Sequence, residues 1–137
     1  MEWHKGAYVL TDDSDRVDAE AVHAWLTATY WAKERSKDVV RQSLSGSLCL
    51  SMFEGAQQVA FCRAVTDGLT HAWITDVVVR EDMRGRGLGK WMLSVLVDHP
   101  VIRDTSQLLG TRDAHGLYAR YGFVRGEYMR RRGPQGD

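Results

Sequence analysis

The chain has 137 residues, with 44% hydrophobic and 26% charged residues, the proportions of one ordinary globular domain. Lys and Arg balance Asp and Glu at 18 each, which argues against a general nucleic-acid binder, and no apolar run approaches the roughly 20 residues of a membrane span. The opening stretch MEWHKGAYVLTDDSD lacks the apolar core of a signal peptide, so a cytoplasmic location is expected.

The first predicted strand covers 7–10, ended by the turn-forming cluster 11–15. The run VDAEAVHAWLTATYWA (17–32) places Val17, Ala21, Trp25 and Ala28 at helical spacing, with Asp15 or Asp18 as cap. A second helix is predicted over 36–44, capped by Ser36 and stopped by Gly46. The pattern then changes to period two: Leu48, Leu50 and Met52 alternate with smaller residues, and 54–57 turns the chain into VAFCRAV, a hairpin. Asp67-Gly68 makes a second turn before a strand over 72–79, whose three valines at 77–79 suggest a central strand. A glycine-rich segment precedes an apolar helix over 88–97, closed by His99-Pro100. A strand at about 107–111, a helix over 114–121 and a last strand around 123–131 complete a mixed α/β order with a parallel crossover in its later half. The tail RRGPQGD is expected to fray.

Cys49 and Cys62 lie in apolar segments and read as buried thiols rather than a disulfide or metal pair. The five histidines form no HxxxH or HExxH pair, so no metal site is expected. Charge is unevenly spread. Residues 1–60 carry six Lys/Arg and nine Asp/Glu, and residues 61–137 carry twelve and nine, which fits an anionic ligand in the second half as well as a solvated surface.

The segment Arg84, Gly85, Arg86, Gly87, Leu88, Gly89, Lys90 follows the valine strand directly. Gly85 and Gly89 are one residue too close for a Walker loop, and Trp91 stands where a magnesium-binding hydroxyl would be needed. The glycines also have the wrong spacing for a dinucleotide fingerprint. What remains is strand, glycine turn and helix, which leaves the first helical N–H groups pointing at an anion.

ITDVVV (74–79) followed by RGRGLG (84–89) resembles motif A of the GNAT superfamily of N-acetyltransferases, Arg/Gln-x-x-Gly-x-Gly/Ala. AHGLYARYGF (114–123) is similar to that family's Ala-x-x-Leu-Tyr-x-x-x-Gly-Phe. The resemblance implies a single α/β domain over 1–137: a mixed central sheet with splayed parallel strands, flanked by about four helices. It implies acetyl-CoA as co-substrate, with the pyrophosphate on the 84–89 loop beside Lys90. The pantetheine arm would bond main-chain groups around Val77, Val78 and Val79, as an added strand does. Thr111 stands where the family often has an asparagine facing coenzyme A, and Tyr121 is a packing residue or a further coenzyme contact.

Tyr118 matches the tyrosine that protonates the departing thiolate in the family. Many members carry a glutamate base where this chain has Thr75, and threonine is no base near neutral pH. Asp76, His115 or a water is left as proton acceptor, with a purely structural Asp76 as the competing reading. An Asp76 facing the acceptor would need partial burial to raise its pKa into a useful range. Period two places it on the face of Val78, opposite Thr75, Val77 and Val79. The acceptor would enter over the first two helices, where Tyr30 and Trp31, with His115, line its pocket. The expected function is N-acetylation of a small-molecule or peptide amine by direct transfer, by a monomer or homodimer. A non-catalytic acyl-CoA-binding module is the alternative.

Overall fold

The computed structural model describes residues 1–136, among which lie six strands and four α-helices. Strands β1 (Glu2–Lys5), β2 (Tyr8–Thr11), β3 (Ser47–Glu54), β4 (Gln57–Thr66), β5 (His71–Val79) and β6 (Ser106–Leu108) form one sheet in that order. Every neighbouring pair is antiparallel except β5 and β6, which run parallel. Helices α1 (Ala19–Thr27) and α2 (Lys37–Ser45) precede β3, α3 (Leu88–Val97) makes the crossover from β5 to β6, and α4 (His115–Ala119) follows β6.

Local chemistry sets the helix ends. The Asp18 carboxylate accepts the Ala21 N–H at 3.1 Å, and the Ser36 hydroxyl accepts that of Val39 at 3.2 Å, each satisfying an orphan donor of the first turn. Helix α1 stops at Thr27, five residues short of the expected run, where the Thr27 and Thr29 hydroxyls bond back to its last carbonyls. That early stop releases Tyr30 and Trp31 into the connection to α2. Capping by Ser36 and termination at Gly46 agree with the sequence expectation.

Two cores flank the sheet. Leu50, Met52, Cys62 and Ile74 pack with Leu88, Met92 and Leu96 of α3. Cys49, Phe61 and Val78 pack with Val22, Leu26 and Val40 of α1 and α2. Cys49 and Cys62 are buried and free, as expected, and burial pushes the Cys49 thiol up to about 11.

Strand β5 changes face part-way along. Phe61 pairs with Val78 and Arg63 with Thr75, so Cys62 alone opposes Asp76 and Val77, a β-bulge with Asp76 at φ 55°. Aspartate tolerates that left-handed conformation better than most residues. Ladder partners share a face, so Thr75 lies on the side of Arg63, and Asp76 reaches the same arginine. Val77 and Val79 pack with the α3 core. The expected alternation across 75–79 is therefore corrected: Thr75 and Asp76 share the α1–α2 face because the bulge breaks period two.

Four further expectations change. A hairpin with Glu2–Lys5 precedes the predicted first strand, turning at Gly6 with φ 58°. Strand β6 ends at Leu108, leaving Thr111 in the following loop. No strand forms over 123–131, because three-residue β6 offers little ladder for a partner and Val124 and Met129 face solvent. The tail does not fray over 133–136. Gln135 accepts the Ser36 N–H at 3.0 Å through its side chain, and Gly136 packs against Trp31. Asp137 lies outside the described residues.

Candidate active site

Parallel pairing of β5 with β6 ends at Trp73 and Leu108. Beyond that point the strands diverge, and the gap is a cleft of about 820 Å³. Residues 73–79 form one wall, 109–114 with Leu117 and Tyr118 another, and 28–31 with Tyr128 and Arg130 close the end under α1. A smaller hollow of about 380 Å³ adjoins it, sharing Val77, Val79, Arg84 and Leu117, and is lined further by Gly85, Gly87, Gly89 and Lys90.

The glycine segment is built as an anion platform. Gly85 (φ 79°) and Gly87 (φ 76°) are both left-handed, and a Cβ at either would meet nothing within 4 Å. Gly87 is the N-cap of α3 and supplies no side-chain bond, and the first amide returning to it is Trp91 N–H at 3.1 Å. The helix therefore opens with uncapped N–H groups, where its dipole favours negative charge. Arg84 donates through Nε to the Val79 carbonyl at 3.1 Å, fastening the loop to the end of β5. Lys90 lines the hollow, whereas the exposed Arg86 does not, and the Leu88 side chain is buried in the α3 core. Leu88 has only its main chain to offer a ligand.

Tyr118 lies half-buried on α4, edge-on to Phe123 with ring centroids 6.0 Å apart. Its hydroxyl has no hydrogen-bond partner among the described residues, and it lines the cleft. Burial, with smaller contributions from Cys62, Tyr30 and Asp113, pushes the phenol up to about 12. It therefore keeps its proton across the physiological range. Tyr121 instead donates to the Lys90 carbonyl at 2.8 Å and ties α4 to the first turn of α3. The Thr111 hydroxyl accepts the Ala114 N–H at 3.0 Å at the start of α4, while the residue also lines the cleft.

Asp76 is 3% exposed. Its Oδ2 accepts from Arg35 Nη1 at 2.6 Å and from Arg63 Nε at 2.7 Å, and its Oδ1 accepts from Trp31 Nε1 at 3.1 Å. Burial works to raise the carboxyl, but the guanidiniums of Arg63 and Arg35 outweigh it and hold the group below the usual carboxylate range. The raised pKa needed for a base is the opposite of this direction. His115 is corrected too: it is exposed, absent from the cleft lining, and its Nε2 lies 3.5 Å from Arg125.

Tyr30 and Trp31 meet edge-on at 5.1 Å, and both line the cleft. Sequence reasoning passed over Arg63, Trp73, Arg112, Tyr128 and Arg130. Arg63 carried a readable signal, a lone cation inside the apolar strand VAFCRAV, which burial obliges to find an anion. Among the described residues no group of His, Cys, Asp or Glu is placed to hold a metal ion.

The family model for the acetyltransferase (GNAT) domain matches residues 45–125. A Gibberella zeae protein named as a candidate acetyltransferase is 27% identical over 116 residues, 70% of this chain and 66% of that protein. The chain thus spans just under two thirds of that relative's length. The crystal structure of a Xanthomonas campestris pv. campestris protein assigned to the GNAT family superposes with a TM-score of 0.88 at 35% identity, covering 93% of this chain and 94% of the other. A Clostridium acetobutylicum protein described as a predicted acetyltransferase, crystallised with acetyl-CoA, has a TM-score of 0.67 at 16% identity over 92% and 94% of the two chains. The chain belongs to the GNAT family of acetyltransferases.

Proposed function

We propose that the protein is an acetyl-CoA-dependent N-acetyltransferase, acting as a single catalytic domain in the cytoplasm on a primary amine. The observation that carries this reading is the continuity of the cleft, which runs from the glycine loop past Tyr118 to Tyr30 and Trp31. The uncapped start of α3 suits a pyrophosphate, and each amide bond to a charged oxygen contributes roughly 1.5–3 kcal/mol. Main-chain groups of Val77 and Val79, on the stretch of β5 that β6 no longer accompanies, suit the amide-bearing pantetheine arm. The acetyl-CoA bound to the Clostridium acetobutylicum protein supports this choice of donor.

In the reaction the amine nitrogen attacks the thioester carbonyl carbon, the carbon–sulfur bond breaks, and the nitrogen sheds a proton. A backbone N–H at the bulge stabilises the carbonyl oxygen as charge develops. Tyr118 delivers a proton to the departing sulfur. Asp76 acts as a positioning residue. It fixes the bulge through Arg35 and Arg63 and holds Trp31 directly through Oδ1, and water in the open cleft takes the proton of the amine.

Heat unfolding tests donor binding. A hundredfold excess of acetyl-CoA over its Kd stabilises by about 2.7 kcal/mol, and equal shifts with ATP or NAD would contradict the reading. Thiol release with amines separates the enzyme from a non-catalytic acyl-CoA-binding module, which would show the stabilisation and no release.

A further inference from the structure

The GPQG turn at 133–136 lines neither the cleft nor the glycine-loop hollow. It docks instead behind the wall that carries Tyr30 and Trp31. The Gly136 N–H returns to the Gly133 carbonyl at 3.4 Å, and Pro134 presets the second position of that turn. Its attachments fall on Trp31, Arg35 and Ser36, in the connection from α1 to the cap of α2.

Each attachment supplies something the connection lacks. A capping box needs Glu or Gln at the third helical residue to accept the N–H of the cap, and α2 has Val39 there. The Gln135 side chain takes that role from 99 residues away, its Oε1 accepting the Ser36 N–H at 3.0 Å. The Gln135 carbonyl accepts Arg35 Nε at 3.4 Å, on the guanidinium whose Nη1 donates to Asp76. Gly136 is left-handed at φ 89° and lies against Trp31, where a Cβ would collide with the Trp31 carbonyl oxygen. The Trp31 indole meanwhile donates to Asp76. Its ring is held from the sheet and its main chain is packed from the tail.

Resting on the acetyl-transfer reading above, we propose that Gln135 and Gly136 are positioning residues for the acceptor. They fix the main chain from Trp31 to Ser36, so that the Tyr30 and Trp31 rings present one defined wall to the amine. The glycine loop takes no part in these contacts. A tail acting this way governs use of the amine and leaves donor binding alone, whereas a merely stabilising tail moves both together.

Gln135→Ala removes one hydrogen-bond acceptor at the surface, so the fold should survive, and Gly136→Ala forces the tail away from Trp31. The acceptor is whichever of spermidine, phenethylamine and trialanine the parent acetylates fastest. Both variants should raise its KM by about tenfold or more, while the Kd for acetyl-CoA, measured by calorimetry, stays at the parent's. Gln135→Glu keeps an acceptor for the Ser36 N–H and should restore the parent's KM.

A second readout needs no turnover. Hydrogen exchange of the Trp31 indole N–H, identified by its loss from the spectrum of Trp31→Phe, should quicken in Gln135→Ala and Gly136→Ala with the other indoles unchanged. Quicker Trp31 exchange in a protein that acetylates no amine would uphold the fixing of this wall and defeat the acetyl-transfer reading. An amine KM unchanged in both variants, an acetyl-CoA Kd weakened in step with it, or unaltered Trp31 exchange would overturn the proposal.

Discussion

Replacing Asp76 by Asn removes one negative charge from a group that is almost wholly out of water. The Asp76, Arg35 and Arg63 side chains are 1%, 6% and 12% exposed. Breaking a buried pair by removing one partner costs about 3–5 kcal/mol, because the other charge is left uncompensated. The lower end applies, since Arg63 keeps the Ser47 hydroxyl at 2.9 Å and Arg35 keeps the Gln135 carbonyl at 3.4 Å. Asn also tolerates the left-handed backbone, so about 3 kcal/mol should be electrostatic in origin. Urea unfolding at pH 7 should then show a midpoint lowered by roughly 1–3 M with an unchanged slope. The pH dependence fixes the cause. A carboxyl whose folded pKa is depressed contributes in full above its ordinary value of 3.8 and loses that contribution as pH falls through the folded value. The difference between parent and Asp76→Asn should stay constant from pH 8 to 5 and narrow below 3.8. A loss under about 1 kcal/mol at pH 7, or one that fails to narrow in acid, would refute the buried triad as the anchor of the bulge.

Tyr118→Phe should lower turnover by about 10²-fold or more while acetyl-CoA affinity stays close to the parent's, measured by thiol release and calorimetry. With the phenol at about 12, the parent's rate should rise with pH as free amine accumulates and show no loss of the acid below pH ~10. Gly89→Ala places a methyl 3.5 Å from Val79 Cγ2, an ordinary contact. It should leave urea stability equal or up to ~1 kcal/mol higher, yet weaken acetyl-CoA by about tenfold by filling the hollow at the start of α3. Trp31→Phe should cost about 1 kcal/mol in urea unfolding, since the ring stays but its bond to Asp76 is lost.

Most strands and helices were legible because apolar spacing and caps are local signals. The spacing of Arg84, Gly85, Gly87 and Gly89 excluded nucleotide loops before any fold was known, and the left-handed angles of Gly85 and Gly87 give that spacing its physical reason. What escaped depended on contacts distant in sequence. The bulge at Asp76 is set by a register shift against β4 and by arginines 41 and 13 residues away, so alternation alone assigned Thr75 to the wrong face. Tyr128 and Arg130 were read as part of a strand. They instead cross the cleft because β6 is too short to hold a partner. His115 lay inside a matching motif, but the turn of α4 that presents Tyr118 to the cleft leaves His115 in solvent.

The most direct test of the account is to count both products of one incubation. With acetyl-CoA and each of a panel of primary amines, polyamines and peptide N-termini, free thiol is followed optically and the acetylated amine by mass spectrometry. The account predicts equal molar amounts of the two, both falling together in Tyr118→Phe. Thiol released without acetylated amine would make the protein a thioesterase, and neither product alongside clear stabilisation by acetyl-CoA would make it a binding module; either result contradicts the central claim.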